Sequence, residues 1–166
     1  MPEHQPRMII CNTSPMFYLH RIGQIACLPA LYNRIILPES VCAELAVGRA
    51  EGYDAPDPAT LEWIDRRHTC VPDLLSLITD LGPGEAEVIA LGMELPDSLL
   101  ILDDGLARRI ARSHAMQITG TIGILCAAKR HGLLSNVKES LDALLHVGFR
   151  LRPSLYQEVC QILGED

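Results

Sequence analysis

Short apolar runs alternate with amphipathic stretches along most of the chain. The short runs predict buried strands at residues 8–11, 35–37, 99–102 and 117–119. Helical spacing of apolar positions and helix start signals predict helices at residues 15–22, 38–47, 60–67, 85–95, 106–114, 121–131, 137–147 and 155–163. Strands that alternate with helices of about ten residues indicate β-α units, so the predicted fold class is α/β, with a parallel sheet covered on both faces.

Two of the predicted helices carry a recognisable start signal. Ser14 stands before Pro15, and a hydroxyl residue followed by proline at the first helical position is typical of a helix N-terminus. Ser154 is followed three residues later by Gln157, the spacing of a capping box. We therefore expect both serines to cap their helices.

Length and composition favour one globular domain. The chain has 166 residues, of which 48% are hydrophobic, and it contains no internal repeat and no linker-like segment. We expect a single domain over residues 1–166, with residues 1–7 flexible and the C-terminal helices of residues 135–166 packed on the same domain. Because no apolar run approaches the roughly 18 residues of a membrane span and no secretory signal is present, we expect a cytoplasmic protein without membrane contact.

Several common site types are excluded by their missing motifs. The six cysteines and six histidines are scattered, without C-x-x-C or H-E-x-x-H, so we expect buried, reduced thiols and no zinc site. Phosphate-binding glycine motifs and the G-x-S-x-G motif of serine hydrolases are also absent. A receiver domain needs its acidic pair after the first strand, whereas here the pair Asp103-Asp104 follows the third.

Charge is distributed unevenly along the chain. The net charge is −7, which argues against coating of nucleic acid by bulk charge. Residues 39–104 contain fifteen acidic residues and three arginines, whereas residues 105–138 contain no acid. That second segment carries Arg108, Arg109, Arg112, Lys129, Arg130 and Lys138. Such a division suits a metal-using enzyme with a polyanionic substrate, although ordinary solvated helix faces would explain it equally well.

Polar and acidic residues follow two predicted strands and begin two helices. Asn12 follows the first strand, Asp103 and Asp104 follow the third, and the helices add Glu44, Glu85 and Glu87. Ligands of parallel sheets bind beyond the carboxyl ends of the strands, and clustered carboxylates coexist most easily around a cation such as Mg²⁺ or Mn²⁺. Each acid alone is equally well explained as a turn residue, a helix cap or a surface residue. Composition and spacing therefore predict an acidic crevice in an α/β domain.

In order along the chain, these segments resemble a PIN domain, the fold of VapC-type toxin ribonucleases, and in particular a prokaryotic PIN subfamily formerly of unknown function. The resemblance extends from residue 8 to about residue 164. The segments that carry it are Asn12-Thr-Ser-Pro15, Pro38-Glu-Ser-Val-Cys-Ala-Glu44, Gly82-Pro-Gly-Glu-Ala-Glu-Val-Ile-Ala90, Leu99-Leu-Ile-Leu-Asp-Asp104, Ala107-Arg-Arg109, Thr119-Gly-Thr-Ile-Gly123 and the tail that includes Gly148-Phe-Arg150. The resemblance implies a three-layer α/β/α fold around a mostly parallel sheet of four to five strands.

The resemblance also implies an activity and a site. The family hydrolyses RNA with one or two Mg²⁺ or Mn²⁺ ions, and its catalytic acids match Glu44, Glu85 and Asp103. Asn12 and Asp104 would complete the metal ligands, and the supporting polar residues would be Thr13, Ser14, Glu87 and Thr121. Candidates for RNA binding are Arg108, Arg109, Arg112, Lys129 and Arg130. Family members usually form homodimers, and many are neutralised by a small antitoxin protein.

One residue departs from the family pattern. The family has an aspartate where this chain has Asn12, and an amide oxygen can bind a metal ion but brings no charge and cannot act as a base. Three interpretations follow: an active metal-dependent ribonuclease, a catalytically weakened or inactive module that binds RNA or protein, and an enzyme with a changed substrate or metal.

Overall fold

The computed structural model describes residues 7–165. At its centre lies a five-stranded sheet in which every strand pairs in parallel with its neighbours, in the order β3-β2-β1-β4-β5. The strands are β1 Ile9–Cys11, β2 Ile35–Pro38, β3 Ile64–Arg67, β4 Leu99–Ile101 and β5 Gln117–Thr119. The predicted α/β class, the parallel sheet and the strand number are therefore confirmed, and all four predicted strands are present.

Helices connect the strands and flank the sheet. They are α1 Thr13–Arg21, α2 Cys27–Tyr32, α3 Glu39–Ala50, α4 Asp73–Ser76, α5 Pro83–Glu94, α6 Gly105–Ser113, α7 Thr121–Arg130, α8 Val137–His146 and α9 Pro153–Ile162, with a 3₁₀ helix at Pro58–Thr60. Helix α5 is the most deeply placed of them, because eight of its twelve residues are buried. It contacts α3, α6 and the strands β1, β2 and β4.

The three inner strands form the core because both of their faces are apolar. In β1 all three residues are buried, although their side chains alternate between the two faces of the sheet, so both faces are covered. Strand β1 pairs with β2 through Ile10 and Ile36 and with β4 through Ile10 and Leu100. Helix α5 approaches β4 closely at Gly92, where a Cβ atom would lie 3.0 Å from Leu100 Cδ1.

The predicted helix at residues 60–67 is wrong. That segment forms the end of the 3₁₀ helix and then β3, which pairs in parallel with β2. Strand β3 lies at the edge of the sheet and none of its residues is fully buried. Its sequence, Ile64-Asp-Arg-Arg67, lacks the apolar run of an inner strand because an edge strand tolerates charged side chains. The short helices α2 and α4 were also not predicted.

Neither of the predicted serine caps forms. Helix α1 begins at Thr13 with Asn12 in the capping position and no side-chain cap, and Ser14, the second residue of the helix, donates its hydroxyl to the Asp103 carboxylate. Helix α9 begins at Pro153 with Arg152 in the capping position. Proline is well suited to the first helical position, and this places Ser154 inside the helix.

Three further expectations are answered in part. The predicted flexible stretch, residues 1–7, lies outside the described residues except for Arg7, whose Nε donates to the Asp97 carbonyl oxygen at 3.0 Å. No helix within residues 7–165 combines the length and the apolar character needed to cross a membrane. Four of the six cysteines are buried thiols as expected, whereas Cys126 is half-buried and Cys70 is exposed.

The packing of α5 on β4 makes Leu100 a sensitive core position. Leu100 has no exposed surface, so Leu100→Ala leaves a cavity beside Gly92 and is expected to lower the free energy of unfolding by about 2–5 kcal/mol. The matched control is Leu74→Ala, since Leu74 is 79% exposed and its loss should change stability by less than about 0.5 kcal/mol. Urea denaturation measures both variants, and equal stabilities would contradict the described packing.

Candidate active site

The strand order creates a crevice between β1 and β4. The chain runs outward from β1 to β2 and β3, and then returns to the opposite side of β1 as β4. Beyond the carboxyl ends of these two neighbouring strands stand Asn12 and Asp103. This reversal of the strand order is the place where open α/β sheets generally bind ligands.

Asp103 is held by the first residues of two helices. Its Oδ1 accepts a hydrogen bond from the Thr121 N–H at 2.8 Å, and its Oδ2 accepts from the hydroxyls of Thr121 at 2.6 Å and Ser14 at 2.9 Å. Thr121 begins α7, whose N-terminus carries a partial positive charge. A Cβ atom at Gly120 would lie 2.8 Å from Asp103 Oδ1, so this carboxylate position depends on the glycine.

Glu44 is held in the same way on the other side of Asn12. Its Oε1 accepts from the Gly84 N–H at 3.0 Å, in the first turn of α5, and its other carboxylate oxygen accepts from the Thr13 hydroxyl. Consecutive hydroxyl residues of α1 therefore bind the two carboxylates, Thr13 to Glu44 and Ser14 to Asp103. The N-termini of α1, α5 and α7 converge on this pair of acids.

Asn12 lies at the bottom of the crevice with an unpaired oxygen. The residue is 2% exposed, and its Oδ1 has no hydrogen-bond partner within the described part of the chain. A buried polar atom without a partner costs about 1–3 kcal/mol, so the atom calls for a bound ligand or water. A Cβ atom at Gly84 would lie 3.0 Å from this oxygen and 2.6 Å from Glu44 Oε2, so the glycine keeps open the space between the two groups.

The oxygen atoms in this crevice are suitable ligands for a hard divalent cation. The carboxylates of Glu44 and Asp103 and the orphaned Asn12 oxygen are the oxygen ligands that Mg²⁺ and Mn²⁺ prefer. Within residues 7–165, however, no group of three or more His, Cys, Asp or Glu side chains is arranged to hold a metal ion. The charge available to a cation therefore comes from fewer carboxylates than the sequence predicted.

The other predicted acids have different surroundings. Glu85 lines a cavity of about 480 Å³ together with Asn12, Ser14 and Asp103. Asp104 lines the same cavity, but its Oδ2 caps α6 by accepting from the Ala107 N–H at 2.9 Å. Glu87 is buried outside this cavity, and its Oε2 accepts from the Ser40 N–H at 2.9 Å. It therefore fixes the N-terminus of α3, the helix that carries Glu44.

Arginines line a groove that leads away from Asp103. A second cavity of about 540 Å³ shares Asp103, Phe149 and Arg150 with the first, and its other cationic residues are Arg108, Arg112 and Arg152. Partial burial and the nearby charge of Arg112 lower the pKa of Arg108, while Asp103 opposes this shift. The Nη1 of Arg108 donates to the Leu102 carbonyl oxygen at 2.8 Å, so one of its donors is already used.

The structure separates the predicted RNA-binding residues into two places. Arg108 and Arg112 lie in the groove, and Arg109 is an exposed residue of the same helix. Lys129 and Arg130 lie at the far end of α7, and the Lys129 Nζ donates to the Ser135 carbonyl oxygen at 2.6 Å. Arg150 and Arg152 were not predicted as substrate contacts, since they belong to the α8–α9 connection, distant in sequence from the acids. The sequence signal that could have identified them is the segment Gly148-Phe-Arg-Leu-Arg152, in which the two arginines follow the aromatic residue at alternate positions.

Comparison with known proteins gives a match to a family model. No curated protein and no solved structure is significantly similar to the chain. A family model, DUF3368, described as a PIN domain, matches residues 8–165. PIN domains are generally nucleases, and the parallel sheet with its flanking helices agrees with that fold. Since the match covers nearly the whole sequence, the chain belongs to the PIN-domain family.

Proposed function

We propose that this protein is a metal-dependent endoribonuclease that hydrolyses RNA phosphodiesters at the crevice between β1 and β4. The observation that carries the proposal is the pair of carboxylates, Glu44 and Asp103, bound by the consecutive hydroxyls that follow the unpaired Asn12 oxygen in the chain. Membership of a family of nucleases supports the reaction class. The choice of RNA follows the resemblance to toxin ribonucleases.

Glu44, Asp103 and Asn12 would hold one or two Mg²⁺ or Mn²⁺ ions, and Glu85 lines the cavity that contains Asn12 and Asp103. Such a cation supplies charge neutralisation and activation of water for phosphodiester hydrolysis when it is bound. Thr13, Ser14 and Thr121 fix the carboxylates, so that these need little rearrangement on binding. Asp104 is oriented by its helix cap, which makes it a peripheral member of the set.

The groove beyond Asp103 suits a polyanion. Arg108, Arg112, Arg150 and Arg152 line it on one side of the acidic crevice, although the chain as a whole has a net charge of −7. Arginine binds phosphate oxygens through several donors at once, so this row would hold the strand that leaves the site. This positively charged groove on a protein of negative net charge is the second support for a nucleic-acid substrate.

A toxin role with a small antitoxin partner, and a homodimeric state, complete the proposal. Their support is the resemblance to VapC-type toxin ribonucleases. Light scattering of the purified protein measures the oligomeric state. Co-expression with the product of a neighbouring small gene tests the antitoxin.

Asp103→Asn is expected to reduce metal-dependent RNA cleavage by at least about 100-fold, because it removes a charge while keeping the shape of the ligand. The matched control is Asp104→Asn, since asparagine also caps helices and should leave cleavage within a few-fold of the native rate. Initial rates on a mixed pool of single-stranded RNA, with Mn²⁺ or Mg²⁺ and with EDTA, measure the effect. Undiminished cleavage by Asp103→Asn would refute the site assignment.

Asn12→Asp is expected to raise affinity for Mn²⁺ by roughly tenfold or more, because it adds the charge that the amide lacks. Isothermal titration measures the affinity, and the RNA cleavage assay is repeated on the same samples. A native chain that is inactive while Asn12→Asp cleaves RNA would favour the second candidate function, a weakened module that binds RNA or protein. The observation behind that alternative is the lack of a three-acid group within residues 7–165.

Arg150→Ala is expected to weaken binding of single-stranded RNA and to reduce the slope of log affinity against log salt by about 0.7, the value for one phosphate contact. Arg130→Ala is the matched control, because Arg130 lies at the opposite end of α7 from the groove. Fluorescence anisotropy at several salt concentrations gives both slopes. The same slope change in both variants would argue against the groove as the path of the strand.

A further inference from the structure

Four of the seven aromatic side chains of the protein form one continuous row. Tyr53 contacts the edge of Phe17 with ring centroids 6.2 Å apart, and Phe17 contacts Tyr18 at 5.1 Å. Tyr18 in turn contacts Phe149 at 5.0 Å. Since the chain contains only two Phe, four Tyr and one Trp, this is a strong concentration of rings in one place.

The two ends of the row line cavities that contain the acids Asp103 and Glu44. Phe17 and Tyr18 follow Thr13 and Ser14 by four residues in α1, so the rings and the hydroxyls that bind the carboxylates lie on the same side of this helix. Tyr18 and Phe149 line the cavity that contains Asp103. At the other end of the row, Phe17 and Tyr53 line a separate cavity of about 310 Å³ that also contains Glu44 and Thr13.

The cavity beside Glu44 offers exposed aromatic and apolar surface, and its charged lining residues are Glu44 and Glu51. Tyr53 is 56% exposed and Val47 is 55% exposed, so none of the residues that the structure describes covers these apolar surfaces fully. The guanidinium of Arg21 lies 5.4 Å from the centre of the Phe17 ring. Within the described residues Arg21 forms no ion pair with an acid, so its charge is available to a substrate.

We propose that this cavity, lined by Phe17 and Tyr53, binds one unpaired nucleobase of the substrate, adjacent to the phosphate at the acidic crevice. The inference rests on the proposed function, because it places the base relative to Glu44. A nucleobase stacks on aromatic rings, and Arg21, beside Phe17, would bind the phosphate of the same nucleotide. A base inside a duplex is already stacked and paired, so the cavity selects a single strand with a nucleotide extruded on this side of the site.

The test measures binding without cleavage. The probe is a short single-stranded RNA that carries 2-aminopurine, whose fluorescence falls when it stacks, and a second RNA has an abasic nucleotide at the same position. Binding is measured in a buffer with Ca²⁺ in place of Mg²⁺ or Mn²⁺. The proteins compared are the full native chain and its variants Tyr53→Ala and Tyr53→Phe. The control Leu74→Ala removes an exposed apolar side chain elsewhere, and thermal denaturation verifies that each variant is folded.

Tyr53→Ala is expected to weaken binding of the 2-aminopurine RNA by roughly 5- to 150-fold and to abolish the quenching, whereas Tyr53→Phe and Leu74→Ala stay within about twofold. With the abasic RNA, native protein and Tyr53→Ala should bind equally. An equal loss on both RNAs, or no loss on either, would overturn the base site.

Failure of the base site and failure of the proposed function give different results. A native protein that quenches the probe but does not cleave RNA with Mn²⁺ or Mg²⁺ supports the base site and contradicts the nuclease. A protein that cleaves RNA but is insensitive to Tyr53→Ala in both assays contradicts the base site alone. A native protein that neither binds nor cleaves overturns both.

Discussion

The site depends on two neighbouring hydroxyls at the start of α1. Thr13 donates to Glu44 and Ser14 donates to Asp103, so one short stretch of backbone fixes the separation of two acids that are 59 residues apart in sequence. Because β1 is the central strand, any displacement of α1 would move both carboxylates together relative to the sheet. Both hydroxyls belong to the first two residues of α1 and not to its capping position, where the Asn12 side chain forms no cap.

The two carboxylates avoid an electrostatic penalty mainly through helix N-termini. Glu44 accepts from the first turn of α5 and Asp103 accepts from the first residue of α7, so partial positive charges face each acid. Glycines at positions 84 and 120 make this approach sterically possible, since a Cβ at either position would lie within 3.0 Å of a carboxylate oxygen. Glu87, buried beneath, holds the N-terminus of α3 and so places Glu44 indirectly.

The sequence predicted the parts of the molecule that are encoded locally. The inner strands β1, β2 and β4 were recognised because their residues are apolar on both faces, and Asn12 and Asp103 followed as the residues at the strand ends. Strand β3 was not recognised, because Ile64-Asp-Arg-Arg67 contains no apolar run, whereas the other edge strand, β5, was predicted. Which acids meet also depends on packing: Glu85 and Glu87 are two residues apart on α5, yet only Glu85 reaches the cavity of Asp103.

Local sequence patterns could not predict the contacts between segments that are distant in the chain. The connection between α8 and α9 brings Phe149, Arg150 and Arg152 beside Asp103, although nothing in its own sequence sets its direction. Its Gly148 has φ +92°, a conformation that favours glycine, and Phe149 N–H then binds the Leu144 carbonyl oxygen at 2.9 Å. A glycine before an aromatic residue predicts a turn here, but the surface that the turn faces depends on the whole fold.

Asn12 links the stability of the fold to the negative charge of the candidate site. A third carboxylate between Glu44 and Asp103 would repel both when no cation is bound, and its burial would add a desolvation cost. The neutral amide removes that repulsion, at the smaller cost of one unpaired buried oxygen. The same change leaves the crevice with one negative charge fewer to offer a cation, because an amide oxygen is a neutral ligand. Position 12 therefore sets how much negative charge the buried end of this crevice carries in the folded protein.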